Sequence, residues 1–146
     1  TETTNYGQGW EQAKSLKDPE TLVGPYVNEK QGYRIRHPKN WQGRQERNQT
    51  VFYLPQNPQI KFQIKLIKST SNFPDFVDRQ AVGSTKDREY LNIADMTMVI
   101  LTKDFDQKVL TQKTNTIFVI EAHTPPENWN EYELTFKEVY KSLVIF

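Results

Sequence analysis

Few side chains in this sequence have reactive chemistry, and they are scattered. Among 146 residues there are two histidines, His37 and His123, and no cysteine. Without cysteine there is no disulfide, no thiolate zinc site, no iron–sulfur cluster and no thiol nucleophile. Two imidazoles cannot build a His-rich metal site, and a Ser-His-Asp triad would have to use one of them. His37 stands before Pro38, and His123 stands before Thr124-Pro125-Pro126. Each is expected to be a surface or partly buried imidazole held by a hydrogen bond. His123 with Glu121 or Glu127 brings imidazole and carboxylate close in sequence, donors that suit a divalent ion such as Zn²⁺. No spacing marks that set as a metal site. Asp75, Asp78, Asp104 and Asp106 could pair in space, but general acid–base work needs a carboxyl with a raised pKa in a pocket. These four fall in turns or on the outside of an expected helix. No GxSxG, GxGxxG or P-loop sequence occurs, and six glycines leave little material for a phosphate cradle. The residues therefore point to a protein that is not an enzyme and carries no cofactor or metal.

Charge says more than reactivity does. Lys plus Arg is 19 and Asp plus Glu is 18, a net charge of +1 that gives no general pull toward nucleic acid or anionic lipid. The charges are unevenly placed. Lys30, Arg34, Arg36, Lys39, Arg44 and Arg47 crowd one stretch opposed there only by Glu46. Glu121, Glu127, Glu131, Glu133 and Glu138 crowd the C-terminal part, offset there by Lys137. Such segregated faces suit protein partners, and Arg34, Arg36, Arg44 and Arg47 are the candidate partner-binding residues. Nucleic-acid binding would want exposed aromatics among the basic residues. Tyr33 and Trp41 are near, but alternation places them inward.

The elements that position these residues follow from hydrophobic period. Hydrophobic residues are 36% and aromatics 12% of the chain, so the core is expected to be aromatic-heavy. The length suits one domain. No apolar run approaches the ~18 residues of a spanning helix, so no direct membrane insertion is expected. Trp10, Ala13 and Leu16 predict a short helix over 8–16, ended by Lys17-Asp18-Pro19. Tyr26-Val27 reads as extended, and Asn28 to Gly32 as a turn. In Tyr33-Arg34-Ile35-Arg36-His37 the arginines alternate with inward residues. Trp41–Gln45 and Thr50–Leu54 read as a hairpin. Ile60 to Leu66 is the clearest strand, with Lys61, Gln63 and Lys65 facing water. Asn72 should cap a helix starting at Phe73-Pro74-Asp75 and stopping near Gly83. Residues 84–92 are ambiguous. Met96–Leu101, Gln107–Lys113 and Thr116–Ala122 read as strands. Thr124-Pro125-Pro126-Glu127 fits a capping box with Thr124 as N-cap. Trp129, Tyr132, Phe136, Val139, Tyr140 and Leu143 then form a helical stripe, and Val144-Ile145-Phe146 an edge strand. The sum is an α+β protein, an antiparallel sheet covered by helices.

The order of certain residues resembles the PsbP-like family. Tyr26 to Trp41 is similar to its opening hairpin, a Y-x-N strand, a YGF-like turn and an I-x-Y-P-x-x-W strand. Gly32-Tyr33, Pro38 and Trp41 match, and His37 stands where the family usually has Tyr. Phe73-Pro74-Asp75-Phe76-Val77 is similar to the start of its first covering helix. Ala122 to Trp129 and the ending Ser142 to Phe146 resemble its last turn, helix and strand. The likeness covers residues 26–146, with 84–115 matching poorly. It implies an α/β/α sandwich over 26–146, with 1–25 as a linker and short helix. Members include extrinsic lumenal photosystem II proteins and cyanobacterial relatives, and a Ran-binding nuclear-import factor shares the fold. The resemblance implies protein docking, not catalysis, in an extracytoplasmic place such as the thylakoid lumen or periplasm. Other readings are a sensor or docking module of a membrane-anchored signalling protein, such as a Ser/Thr kinase, and a domain that binds a small ligand or metal. Tyr33, Trp41, Trp129, Tyr132 and Phe136 are read as core.

Overall fold

The computed structural model describes residues 16–69 and 72–146. The expected helix over 8–16 lies almost wholly outside them. Within them the chain forms β1 (Leu22–Asn28), β2 (Tyr33–Pro38), β3 (Gln42–Glu46), β4 (Gln49–Leu54), β5 (Asn57–Lys68), α1 (Phe73–Gln80), β6 (Glu89–Ile93), β7 (Met96–Lys103), β8 (Asp106–Lys113), β9 (Thr116–His123), a 3₁₀ turn (Pro126–Asn128), α2 (Trp129–Lys141) and β10 (Val144–Ile145). The class is α+β, mostly antiparallel sheet with two helices among the described residues.

The strands fall into two sheets where the sequence suggested one. A three-stranded sheet runs β1-β2-β10, and a seven-stranded sheet runs β3-β4-β5-β9-β8-β7-β6. Every pairing is antiparallel. Pro38 ends β2 and cannot donate to a ladder, so the chain leaves the first sheet there and enters the second after Trp41. The meander from β6 to β9 closes through two-residue turns whose first residues take positive φ: Ala94 at 53°, Asp104 at 56° and Thr114 at 56°.

Alternation along β9 separates two cores. Phe118, Ile120 and Ala122 belong to the larger cluster, with Tyr33, Ile35, Trp41, Phe52, Phe62 and the buried stripe of α2. Ile117 and Val119 belong to a second cluster with Phe76 and Val77 of α1. Period two sends neighbouring residues to opposite faces, so the seven-stranded sheet is covered on both. Phe136, Val139 and Tyr140 are 0% exposed, and each such burial contributes about 1.5–3 kcal/mol. The Tyr140 hydroxyl donates to Gln107 Oε1 at 2.7 Å. Burial pushes its pKa well above the ordinary value, and the charges of Glu133 and Glu89 add to this.

Most expected elements stand where periodicity put them, with three differences. β1 begins at Leu22 rather than Tyr26, because Gly24, at φ 109°, and Pro25 sit at a register shift between Val23 and Tyr26. Gly and Pro inside a strand mark such irregularities. β6 covers the end of the ambiguous stretch, where only Tyr90 and Leu91 are strand-like, and runs one residue beyond it to Ile93. The expected capping box is not formed. Thr124 is fully buried and its hydroxyl donates to Pro125 O at 2.9 Å. Pro126 disfavours a helical conformation at the residue before it, and Pro125 accordingly sits at φ −58°, ψ 153°. The 3₁₀ turn follows, and α2 starts only at Trp129. The cap of α1 is as expected, with Asn72 Oδ1 accepting from Asp75 N at 3.2 Å.

Candidate functional site

The candidate arginines are carried by strands whose inner faces are buried. In β2 the inner residues Tyr33 and Ile35 are fully buried, which turns Arg34 and Arg36 outward. Arg34 is paired with Val27 on β1 and Val144 on β10. Directly paired residues point to the same side, so Val27, Arg34 and Val144 form one exposed row. The two valines are 46% and 39% exposed. Among the described residues Arg34 has no carboxylate partner. Arg36 Nη1 donates to Gly24 O at 3.2 Å, and its backbone N donates to Ser142 Oγ at 2.9 Å.

Arg44 lies elsewhere. It pairs with Val51, which pairs with Gln63, which pairs with Glu121. That chain of partners lies on the α1 side of the seven-stranded sheet, opposite the face that holds the β1-β2-β10 sheet. Arg44 Nε donates to Glu46 Oε2 at 2.7 Å, and its guanidinium lies 5.1 Å from the centre of the Tyr53 ring. The hydrogen bond to Glu46 raises its pKa. Arg47 sits in the tight turn between β3 and β4. The fold therefore brings Arg34 and Arg36 together and places Arg44 on another side.

Both histidines are hydrogen-bonded. His37 Nδ1 is 3.0 Å from Pro38 O, and the ring stacks on Phe52 with centroids 4.9 Å apart. His123 Nδ1 is bonded to Asp106 Oδ1 across β9 and β8. The sequence does not reveal Asp106 as its partner, because the pairing depends on the register of two strands. Glu121 lies two residues from His123 but is turned to other groups. Gln63 Nε2 donates to its Oε1 at 2.9 Å, Lys65 Nζ is 3.1 Å away, and Lys108 Nζ is 3.9 Å away. Burial alone would push the Glu121 carboxyl up. The hydrogen bonds from Gln63 and Lys65, and the charges of Lys65 and Lys108, outweigh it and hold the pKa below the ordinary value. Among the described residues no group of three or more His, Asp or Glu side chains is placed to hold a metal. Lys61, Gln63 and Lys65, expected to face water, are half-buried on the α1 side.

Set against solved structures, the chain matches the solution structure of cyanobacterial PsbP from Synechocystis sp. PCC 6803 with a TM-score of 0.61. The match covers 84% of this chain and 92% of that one at 14% identity. The fold is PsbP-like. The chain is also similar to PA94 of Pseudomonas aeruginosa, a protein of unknown function suggested to be a regulator. There the TM-score is 0.58 at 21% identity, over 88% of this chain and 98% of that one. A protein of Bacteroides thetaiotaomicron VPI-5482 matches with a TM-score of 0.57 at 15% identity, over 78% of this chain and 45% of its own. No protein-family model matches the sequence, and no curated protein sequence does. Among the described residues no helix is long and apolar enough to cross a membrane.

Proposed function

We propose that this chain is a non-catalytic accessory domain of the PsbP-like α/β/α sandwich type that docks to an acidic protein surface outside the cytoplasm. The observation that carries the reading is the exposed row Val27–Arg34–Val144, with Arg36 two residues along the same strand. An arginine with no carboxylate partner among the described residues, set between two exposed aliphatic side chains, combines the two features that interface centres favour, apolar area and Arg. Of the four arginines first singled out, Arg34 and Arg36 form this docking face, while Arg44, on the α1 side and bonded to Glu46, lies off it. The likeness to PsbP supports an extracytoplasmic setting beside a membrane complex, photosystem II being the case the resemblance suggests.

The test is charge reversal. In the Arg34→Glu/Arg36→Glu double variant, partners that co-purify with the wild-type protein should be lost. The circular dichroism spectrum should not change, since both side chains are exposed. Wild-type co-purification should also weaken as salt is raised. If every partner remains in the double variant, the surface is wrong.

A second reading has its own observation. The Bacteroides protein carries this fold in less than half of its length, which supports a module appended to a longer chain, here one anchored in a membrane. An immunoblot of fractionated native cells separates the two. A free subunit gives a band near 17.2 kDa in a soluble extracytoplasmic fraction. A module gives a much larger band in the membrane fraction.

A further inference from the structure

The α1 side of the seven-stranded sheet holds a cleft of about 420 Å³, within the ~300–1,000 Å³ usual for small-molecule sites. Its floor is two cross-strand rows. Lys61 on β5 pairs with His123 on β9, His123 with Asp106 on β8, and Asp106 with Lys103 on β7. The next row is Gln63, Glu121, Lys108 and Leu101 on the same four strands. Its wall is the end of α1 and the turn after it, through Gln80, Val82 and Ser84.

The anionic groups of the cleft are already occupied. Asp106 is bonded to His123, and Glu121 is bonded to Gln63 and Lys65. Lys108 is held by Gln80 Oε1 at 2.9 Å and lies near Glu121. Lys61 and Lys103, at the two ends of the first row, have no ion-pair partner among the described residues. Neighbouring strands lie ~4.8 Å apart, so the two backbones are roughly 14 Å apart and both ammonium groups can reach inward over the row. The stem of Lys103 is seated against Gly83. A side-chain carbon at that glycine would lie 3.3 Å from Lys103 Nζ and 3.4 Å from its Cε, and Gly83 has φ 87°. The wall is fixed by Thr85, whose backbone N donates to Thr102 O at 2.8 Å and whose Oγ1 accepts from Asp104 N at 2.8 Å.

We infer that this cleft is a binding site for a small organic polycarboxylate, held between Lys61 and Lys103 with hydrogen bonds from Gln63, Ser84 and His123. The volume is ample for a ligand the size of citrate. Two separated cations at the ends of a polar row select carboxylates at both ends of a ligand. A cleft whose acids are tied up by neighbours gives little to a metal or a cationic ligand. The site is independent of the docking face, which lies across the molecule.

The experiment is a titration of ¹⁵N-labelled protein with citrate at constant ionic strength, followed by amide shifts. Saturable shifts are expected at residues of β5, β7, β8 and β9 that line the cleft and at the end of α1. The Lys61→Gln/Lys103→Gln variant should bind about tenfold or more weakly, and the Arg34→Gln/Arg36→Gln variant should bind as the wild type does. Lys103 is exposed and Lys61 half-buried on the sheet face, outside both cores, so the fold should survive, and the unliganded spectrum checks this. No saturable shift at millimolar citrate, shifts that map to β2, or binding unaltered in the lysine variant would each overturn the inference.

Discussion

Phe52 lies directly across from Gly43 on the neighbouring strand, and a side-chain carbon at residue 43 would come 2.8 Å from its ring. The ring cannot move aside. It stacks between His37 at 4.9 Å and Phe62 at 5.0 Å, with the edge of Tyr26 at 5.4 Å. Those contacts join the three-stranded sheet to the seven-stranded one.

Gly43→Ala is therefore expected to destabilise the protein by about 1–3 kcal/mol, as overpacking does. Urea unfolding measures it. Adding Phe52→Leu should make the cost of Gly43→Ala smaller, since the two residues share one space. An equal cost in both backgrounds would show that the ring is not what excludes a side chain there.

Tyr140 and Gln107 join α2 to β8 inside the main core. Tyr140→Phe keeps the packing but leaves the Gln107 amide oxygen without its donor, at a cost of about 1 kcal/mol. In an alkaline titration Tyr140 should stay protonated in the folded protein and ionise only as the protein unfolds. The sign follows from the raised folded pKa. The favourable contribution is present below the unfolded value and lost as pH rises through the folded one. Tyrosinate absorbance and far-ultraviolet dichroism, followed together, check the order.

Glu121 gives the opposite dependence. Its folded pKa is lowered, so its ionised form stabilises the protein above the unfolded carboxylate value, and this is lost as pH falls through the folded value. Glu121→Gln should cost about 1 kcal/mol at neutral pH, and the gap to the wild type should close in acid. Denaturation midpoints across the acid range would show it. A gap that persists unchanged in acid would mean that shape, not charge, matters at this position.

Strands and helices were legible wherever one face is buried against one core. Ile60, Phe62 and Ile64 alternate cleanly and are buried as read, and the α2 stripe from Trp129 to Leu143 is buried at each position. Tertiary pairing was not legible. Nothing local says that β9 lies between β5 and β8, yet that order alone brings Lys61, His123, Asp106 and Lys103 into one row. For the same reason Lys61 and Gln63 read as a solvent face when they border a cleft beside α1. The basic stretch looked continuous because its residues are close in the chain. The break after Pro38 sends Arg34 and Arg36 to one sheet and Arg44 to another.

The central claim is that a partner sits on the row through Arg34. The most direct test places a photo-crosslinking amino acid at Val144, beside Arg34, and in a second protein at Tyr90, an exposed residue on β6 of the other sheet. Both are irradiated in native cells. The account predicts a defined protein adduct from residue 144, none from residue 90, and loss of the adduct when Arg34→Glu is added. An adduct from residue 90 with none from residue 144, or an adduct at 144 indifferent to Arg34→Glu, would contradict it.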